Sequence, residues 1–273
     1  MDWVVSPDWV ADRLDDAAVR VVDVREAWEY EGIGHVPGAV NVPFDAFRAE
    51  SHAATRDGGA GDEGMFPDSD SWAALLATAG VTPETHLVAY DDTHGVFAAR
   101  FLVTALRFGH DPERLHLLDG DYSAWTREHA VSTATVDVQE TDYDPGGPVD
   151  GPFVTADAVA AAVDAPDAVV VDTRSPEEYA EGHLPGAVNL DWTDLVDRES
   201  RGLKPRAELT ALLDSRGVSS DRRVVLYCNT ARRISHTFVV LKHLGYPDVA
   251  FYEGSLTAWT AEDRPLESGV ADG

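Results

Sequence analysis

The chain contains one cysteine, Cys228, and its setting favours chemistry. It ends the apolar run Val224-Val225-Leu226-Tyr227 and opens the polar stretch Asn229-Thr230-Ala231-Arg232-Arg233. From Ile234 to Leu244, apolar Phe238, Val239, Leu241 and Leu244 recur at mixed three- and four-residue steps, which predicts a helix. Cys228 is therefore expected where a buried strand ends and a loop turns into a helix. Backbone N–H groups at such a junction can point at one spot, and the helix dipole adds positive potential. A thiol there, beside two arginines, is biased towards the thiolate. A lone cysteine is more commonly an inert core residue, but a core residue has no need of two adjacent arginines in the loop beyond it.

A soft thiolate, positive charge and a ring of backbone amides suit a nucleophile that works on an anionic substrate. Cys228 is the candidate nucleophile, and the N–H groups of Asn229, Thr230, Ala231, Arg232 and Arg233 the candidate nest. Arg233, Arg232 and Arg174 are candidates for holding an oxyanion, because a guanidinium fork can bind two oxygens. Neighbouring residues usually diverge, so Arg233, the last loop position, is preferred over Arg232. Arg174 lies just past a predicted strand end, where open α/β sheets place ligands. Its rival reading is a salt bridge to a carboxylate such as Glu178.

The elements that position these residues occur twice. Val21-Val22-Asp23-Val24-Arg25 leads to Gly34-His35-Val36-Pro37-Gly38-Ala39, and Val170-Val171-Asp172-Thr173-Arg174 leads to Gly182-His183-Leu184-Pro185-Gly186-Ala187. Thr85–Tyr90 corresponds to Arg222–Tyr227, and Gly120–Trp125 to Gly254–Trp259. Each copy alternates β-branched apolar runs with helical patterns, which predicts an α/β fold: a mostly parallel sheet flanked by helices. The expected boundaries are 1–130 for the first domain, 131–152 for a linker and 153–273 for the second domain. Ser51–Asp70 reads as a long surface loop.

The copies are not equal. Where the second has Tyr227-Cys228, the first has Tyr90-Asp91-Asp92, and its next arginine is Arg100. One catalytic site is therefore expected, in the second copy. His35 and His183 are duplicated, as are Asp23 and Asp172, and duplication in a copy without a nucleophile argues for structural roles. His236 lies about two helical turns beyond Cys228, too far for a base.

On these motifs the chain resembles the tandem-domain rhodaneses, sulfurtransferases of the thiosulfate or 3-mercaptopyruvate type. The resemblance covers nearly the whole chain. It implies that Cys228 carries the transferred sulfur as a persulfide, that the first domain is inactive, and that no cofactor is used. One position departs from the pattern. Many members have glycine at the fourth loop position, here Ala231, and alanine tolerates positive φ poorly. A different loop path is expected. Within the family, basic residues after the cysteine go with thiosulfate, so Arg232 and Arg233 point to that donor over 3-mercaptopyruvate. A non-turnover persulfide carrier would use the same cysteine. A cysteine phosphatase is the weakest alternative, because its arginine usually stands six positions after the cysteine, and Arg233 stands five after it (233 − 228).

Composition bounds the partners. The formal charge is −28, from 49 Asp and Glu against 21 Lys and Arg. Such a surface repels nucleic acid and anionic membranes. It fits a halophile, where molar salt screens the self-repulsion. One cysteine excludes an intramolecular disulfide, and no histidine cluster has metal-ligand spacing. The start of the chain lacks a signal-peptide pattern, so a cytoplasmic protein is expected. The expected partners are a small-molecule sulfur donor and an acceptor: cyanide, a thiol, or a thioredoxin-like or sulfur-relay protein.

Overall fold

The computed structural model describes residues 2–49, 65–144 and 146–269. Most of the loop expected over Ser51–Asp70 lies outside the described residues. Its end does not behave as a loop: Ser69–Thr78 is helical, capped by the Asp68 side chain, which accepts the Ser71 N–H at 2.9 Å. Aspartate at an N-cap satisfies one of the orphan amides of the first turn, so the helix begins inside the polar segment.

The chain forms two compact units. The first holds the residues up to Ala49, Phe66–Val149 and Asp197–Leu203; the second holds Asp150–Val196 and the residues from Lys204 onwards. Most of the segment expected as a linker thus belongs to the first unit. There Thr141 donates its N–H to Ala77 at 3.1 Å, and Tyr143 stacks on His110.

Among the described residues the first unit has five strands: β1 (Val4–Val5), β2 (Val19–Asp23), β3 (Val40–Asn41), β4 (His86–Tyr90) and β5 (Leu115–Leu118). They lie in the order β1-β5-β4-β2-β3, and every ladder is parallel. The second unit has four: β6 (Ala168–Asp172), β7 (Val188–Asn189), β8 (Arg223–Tyr227) and β9 (Val249–Phe251), in the order β7-β6-β8-β9, again all parallel. The central strands are valine-rich and buried on both faces, as a sheet covered by helices requires. In the second unit one core cluster includes Val170, Tyr179, Leu184, Val225, Tyr227 and Trp259, all buried.

The register carries the duplication into three dimensions. Asp23 pairs with Tyr90 across β2 and β4, and Asp172 with Tyr227 across β6 and β8. Both pairs stand at the carboxyl ends of their strands, the edge where open α/β sheets place their sites. Each sheet is followed there by a loop and a long helix, Val96–Arg107 in the first unit and Arg232–Leu244 in the second.

Candidate active site

Cys228 is the first residue after β8, and its side chain is buried among the loop that follows. The helix begins at Arg232, two residues earlier than the apolar pattern predicts. Arg232 and Arg233 are therefore not loop residues. They occupy the first turn of a helix, where the dipole disfavours cations. Two arginines kept there place cations just beyond the cysteine at a cost to the helix.

The loop backbone is fixed from one side by the segment after β9. Cys228 donates its N–H to the Ser255 hydroxyl at 3.2 Å, and Ser255 donates to the Tyr252 carbonyl at 3.0 Å. The carbonyl of Cys228 accepts the Leu256 N–H at 2.9 Å, and that of Asn229 accepts the Thr257 hydroxyl at 2.9 Å. Ser255 itself takes φ +47°, a strained backbone for a non-glycine residue.

Ala231 has φ +62° and ψ −5°, and it is fully buried. The expectation of a different path is corrected: the alanine accepts the left-handed turn, at a cost of roughly 1–2 kcal/mol. The first unit turns at the same position, with His94 at φ +56°, and adds one more left-handed residue, Gly95 at φ +83°.

Across the loop stands Glu178, on the short helix Pro176–Glu181. It accepts the Asn229 side-chain N–H at 2.9 Å with Oε1, and Oε2 pairs with Arg233. Oε2 also accepts the Ser175 N–H at 3.2 Å, completing a capping box with the Ser175 hydroxyl. Burial pushes the Glu178 carboxyl up, but Arg233, the Ser175 amide and Asn229 outweigh it and hold it below the usual glutamate value. Sequence reasoning set Glu178 against Arg174 and missed its part in the loop. The Ser-x-x-Glu spacing was the available signal, but it marks only the helix start.

Arg174 is held by its own strand end. It is 4% exposed, and its Nε and Nη2 bond both oxygens of Asp172 at 2.6–3.0 Å. Nη2 also donates to the Gly182 carbonyl at 2.6 Å. Arg25 repeats the arrangement with Asp23 and Gly34. A guanidinium so committed braces the strand end against the Gly-His turn, which corrects its assignment to the donor. His183 stacks on Tyr179 with ring centroids 3.7 Å apart, as His35 does on Tyr30 at 4.0 Å. His236 is fully buried against Trp192.

In the first unit the equivalent loop already holds an anion. The buried carboxylate of Asp91 accepts four backbone N–H bonds, from Thr93 at 2.7 Å, Gly95 at 2.8 Å, Phe97 at 2.7 Å and Ala98 at 3.0 Å. In the first unit, two loop amides and two amides of the first helical turn thus converge on the first residue after the strand. The second carboxylate, Asp92, accepts the Ser123 N–H at 2.9 Å and lies 3.5 Å from Arg201, which also pairs with Asp121.

Rhodanese-like domain models match residues 6–128 and 155–262. The chain belongs to the rhodanese family. A thiosulfate sulfurtransferase of Pseudomonas aeruginosa is 33% identical over 278 residues, with 97% of this chain and 96% of that one covered. A 3-mercaptopyruvate sulfurtransferase of Escherichia coli is 28% identical, with 97% and 98% covered. Among solved structures, a 3-mercaptopyruvate sulfotransferase from Escherichia coli superposes with a TM-score of 0.78 at 26% identity, over 93% of this rhodanese chain and 99% of that one. Among the described residues no cluster of His, Cys, Asp or Glu could hold a metal ion, and no helix is long and apolar enough to cross a membrane.

Proposed function

We propose that this rhodanese takes the sulfane sulfur of thiosulfate onto Cys228 and passes it to cyanide or a thiol. Sulfur transfer of the thiosulfate or 3-mercaptopyruvate kind is supported by family membership and by relatives that share almost the full chain. The observation that carries the reading is the contrast between the two loops. One is filled by its own Asp91, and the other presents Cys228 and two helix-start arginines.

In the first half-reaction the Cys228 thiolate attacks the outer sulfur of thiosulfate. A sulfur–sulfur bond forms to Cys228, the bond to the sulfite sulfur breaks, and sulfite leaves with the electron pair. The loop amides then surround the persulfide, while Arg233 and Arg232 attract the sulfite oxygens. In the second half-reaction the acceptor attacks the outer persulfide sulfur and restores the thiolate. Cyanide becomes thiocyanate; a thiolate, on a small molecule or a thioredoxin-like partner, becomes a persulfide. The preference for thiosulfate rests on charge, since the dianion gains more than the mercaptopyruvate monoanion does from Arg232 and the helix start, Arg233 being paired with Glu178. The acidic surface fits a cytoplasm of high salt.

Intact-mass spectrometry tests the reading. Thiosulfate should add one sulfur, about 32 Da, as double displacement requires; cyanide should remove it, and Cys228→Ser should gain nothing. Faster turnover of 3-mercaptopyruvate than of thiosulfate would reassign the donor and leave the Cys228 chemistry intact.

A further inference from the structure

Arg233 does not meet a donor as an isolated cation. Its Nη1 is paired with Glu178, and the same carboxylate holds the side chain of Asn229, the first residue after the cysteine. Glu178 therefore touches the loop one position beyond Cys228 and the helix start five positions beyond it. Neither member of the ion pair is sealed away: the Arg233 side chain is 25% exposed and that of Glu178 31%. The carboxylate is also anchored from behind, because Oε2 accepts the N–H of Ser175 at the start of its own helix. A charge fixed at both ends has no ready route away from the arginine.

We propose that Glu178 is a specificity-determining residue that tempers the loop's attraction for dianions by neutralising Arg233. This rests on the reading that the Cys228 loop receives an anionic sulfur donor. The physics is simple. A guanidinium–carboxylate pair has no net charge, so a nearby dianion gains little from it and is repelled by the carboxylate oxygens. Removing the negative member restores one full positive charge. The gain scales with the charge of the ligand, so it is larger for a dianion than for a monoanion. The expected consequence in the natural protein is moderate affinity for thiosulfate and quick release of sulfite, with monoanionic donors less affected. Glu178 need not touch the reacting sulfur; it acts through Arg233 and Asn229.

Glu178→Gln isolates the charge. Glutamine can still accept the Ser175 N–H and keep the capping box, so the helix start is retained. Calorimetric titration at fixed ionic strength, with sulfate as an inert dianion and pyruvate as a monoanion, reads the effect without turnover. Sulfate should bind about three- to tenfold more tightly to Glu178→Gln than to wild type, the scale of one partly exposed charge interaction. Pyruvate should change by less than about twofold. Glu178→Ala removes the same charge and must preserve this order, so it carries the comparison if the glutamine variant does not fold. In turnover, KM for thiosulfate should fall, while KM for a monoanionic donor changes little. Equal changes for sulfate and pyruvate, unchanged sulfate affinity, or a loss of kcat for every donor at constant KM would each overturn the proposal. Failure of wild type to take sulfur from thiosulfate would instead count against the assigned donor, and the sulfate titration would still decide the role of Glu178.

Discussion

The amide of Cys228 donates to the Ser255 hydroxyl, and through it the cysteine's backbone is tied to the turn after β9. This bond joins residues 27 positions apart and is fully buried. Replacing Ser255 with alanine leaves a buried N–H without that acceptor, which costs about 1–3 kcal/mol. The Tyr252 carbonyl loses the hydroxyl but keeps the Ser255 N–H, at 3.2 Å. Ser255→Ala should lower the melting temperature by several degrees and kcat by several-fold, while intact mass still shows sulfur on Cys228. Unchanged kcat in the folded variant would show that Ser255 supports the turn and not the nucleophile.

Acid should open the loop only below the ordinary carboxylate range. Glu178 is held below its usual value, so the stability it contributes is present above the unfolded glutamate value and is lost as pH falls through the lower folded one. In Arg233→Ala the largest opposing influence disappears, burial is less opposed, and the Glu178 carboxyl should titrate higher than in wild type. Carboxyl-carbon NMR titration of the two proteins makes the comparison. The same titration midpoint in both would mean that the pair seen in the structure is not formed in solution.

The first repeat should resist conversion into a second active site. Asp91 satisfies two loop amides and two helix-start amides with two carboxylate oxygens. A thiol at this place is a poorer acceptor, and the loop carries no arginine before Arg100. Asp91→Cys combined with Cys228→Ser should show no sulfur transfer above background and should melt several degrees lower than Cys228→Ser alone. Transfer near the wild-type rate would mean that amides and a thiol suffice without the arginines.

Salt should stabilise the fold. With a formal charge of −28, carboxylate repulsion is strong in dilute buffer and screened in molar KCl, where the Debye length falls to about 3 Å. The melting temperature should rise steadily between these conditions. A flat profile would remove the halophilic reading and leave the acidic surface to be explained by a cationic partner.

The duplication, the parallel sheets and the place of Cys228 were legible because local patterns carry them: β-branched runs, Gly-His-x-Pro-Gly turns and a strand ending at a unique thiol. What escaped was set by contacts distant in sequence. Nothing in the spacing of Glu178 and Arg233, 55 positions apart, distinguishes their pairing from the one expected between Glu178 and Arg174. Arg174 was misplaced because a strand-end arginine reads the same whether it faces a ligand or folds back onto Asp172. The positive φ of Ala231 was illegible for a different reason. Propensity ranks alanine against that conformation, and the surrounding fold overrides it.

The Asp91 loop has a consequence for how the two repeats meet the cell's anions. A carboxylate joined to the loop by its own main chain is a guest that cannot diffuse away, so no dissolved sulfate, phosphate or chloride competes with it at ordinary concentrations. The first repeat is therefore deaf to the ionic contents of its surroundings. Only the second repeat listens, and a protein with two copies of one cradle reports on its donor through a single receiver.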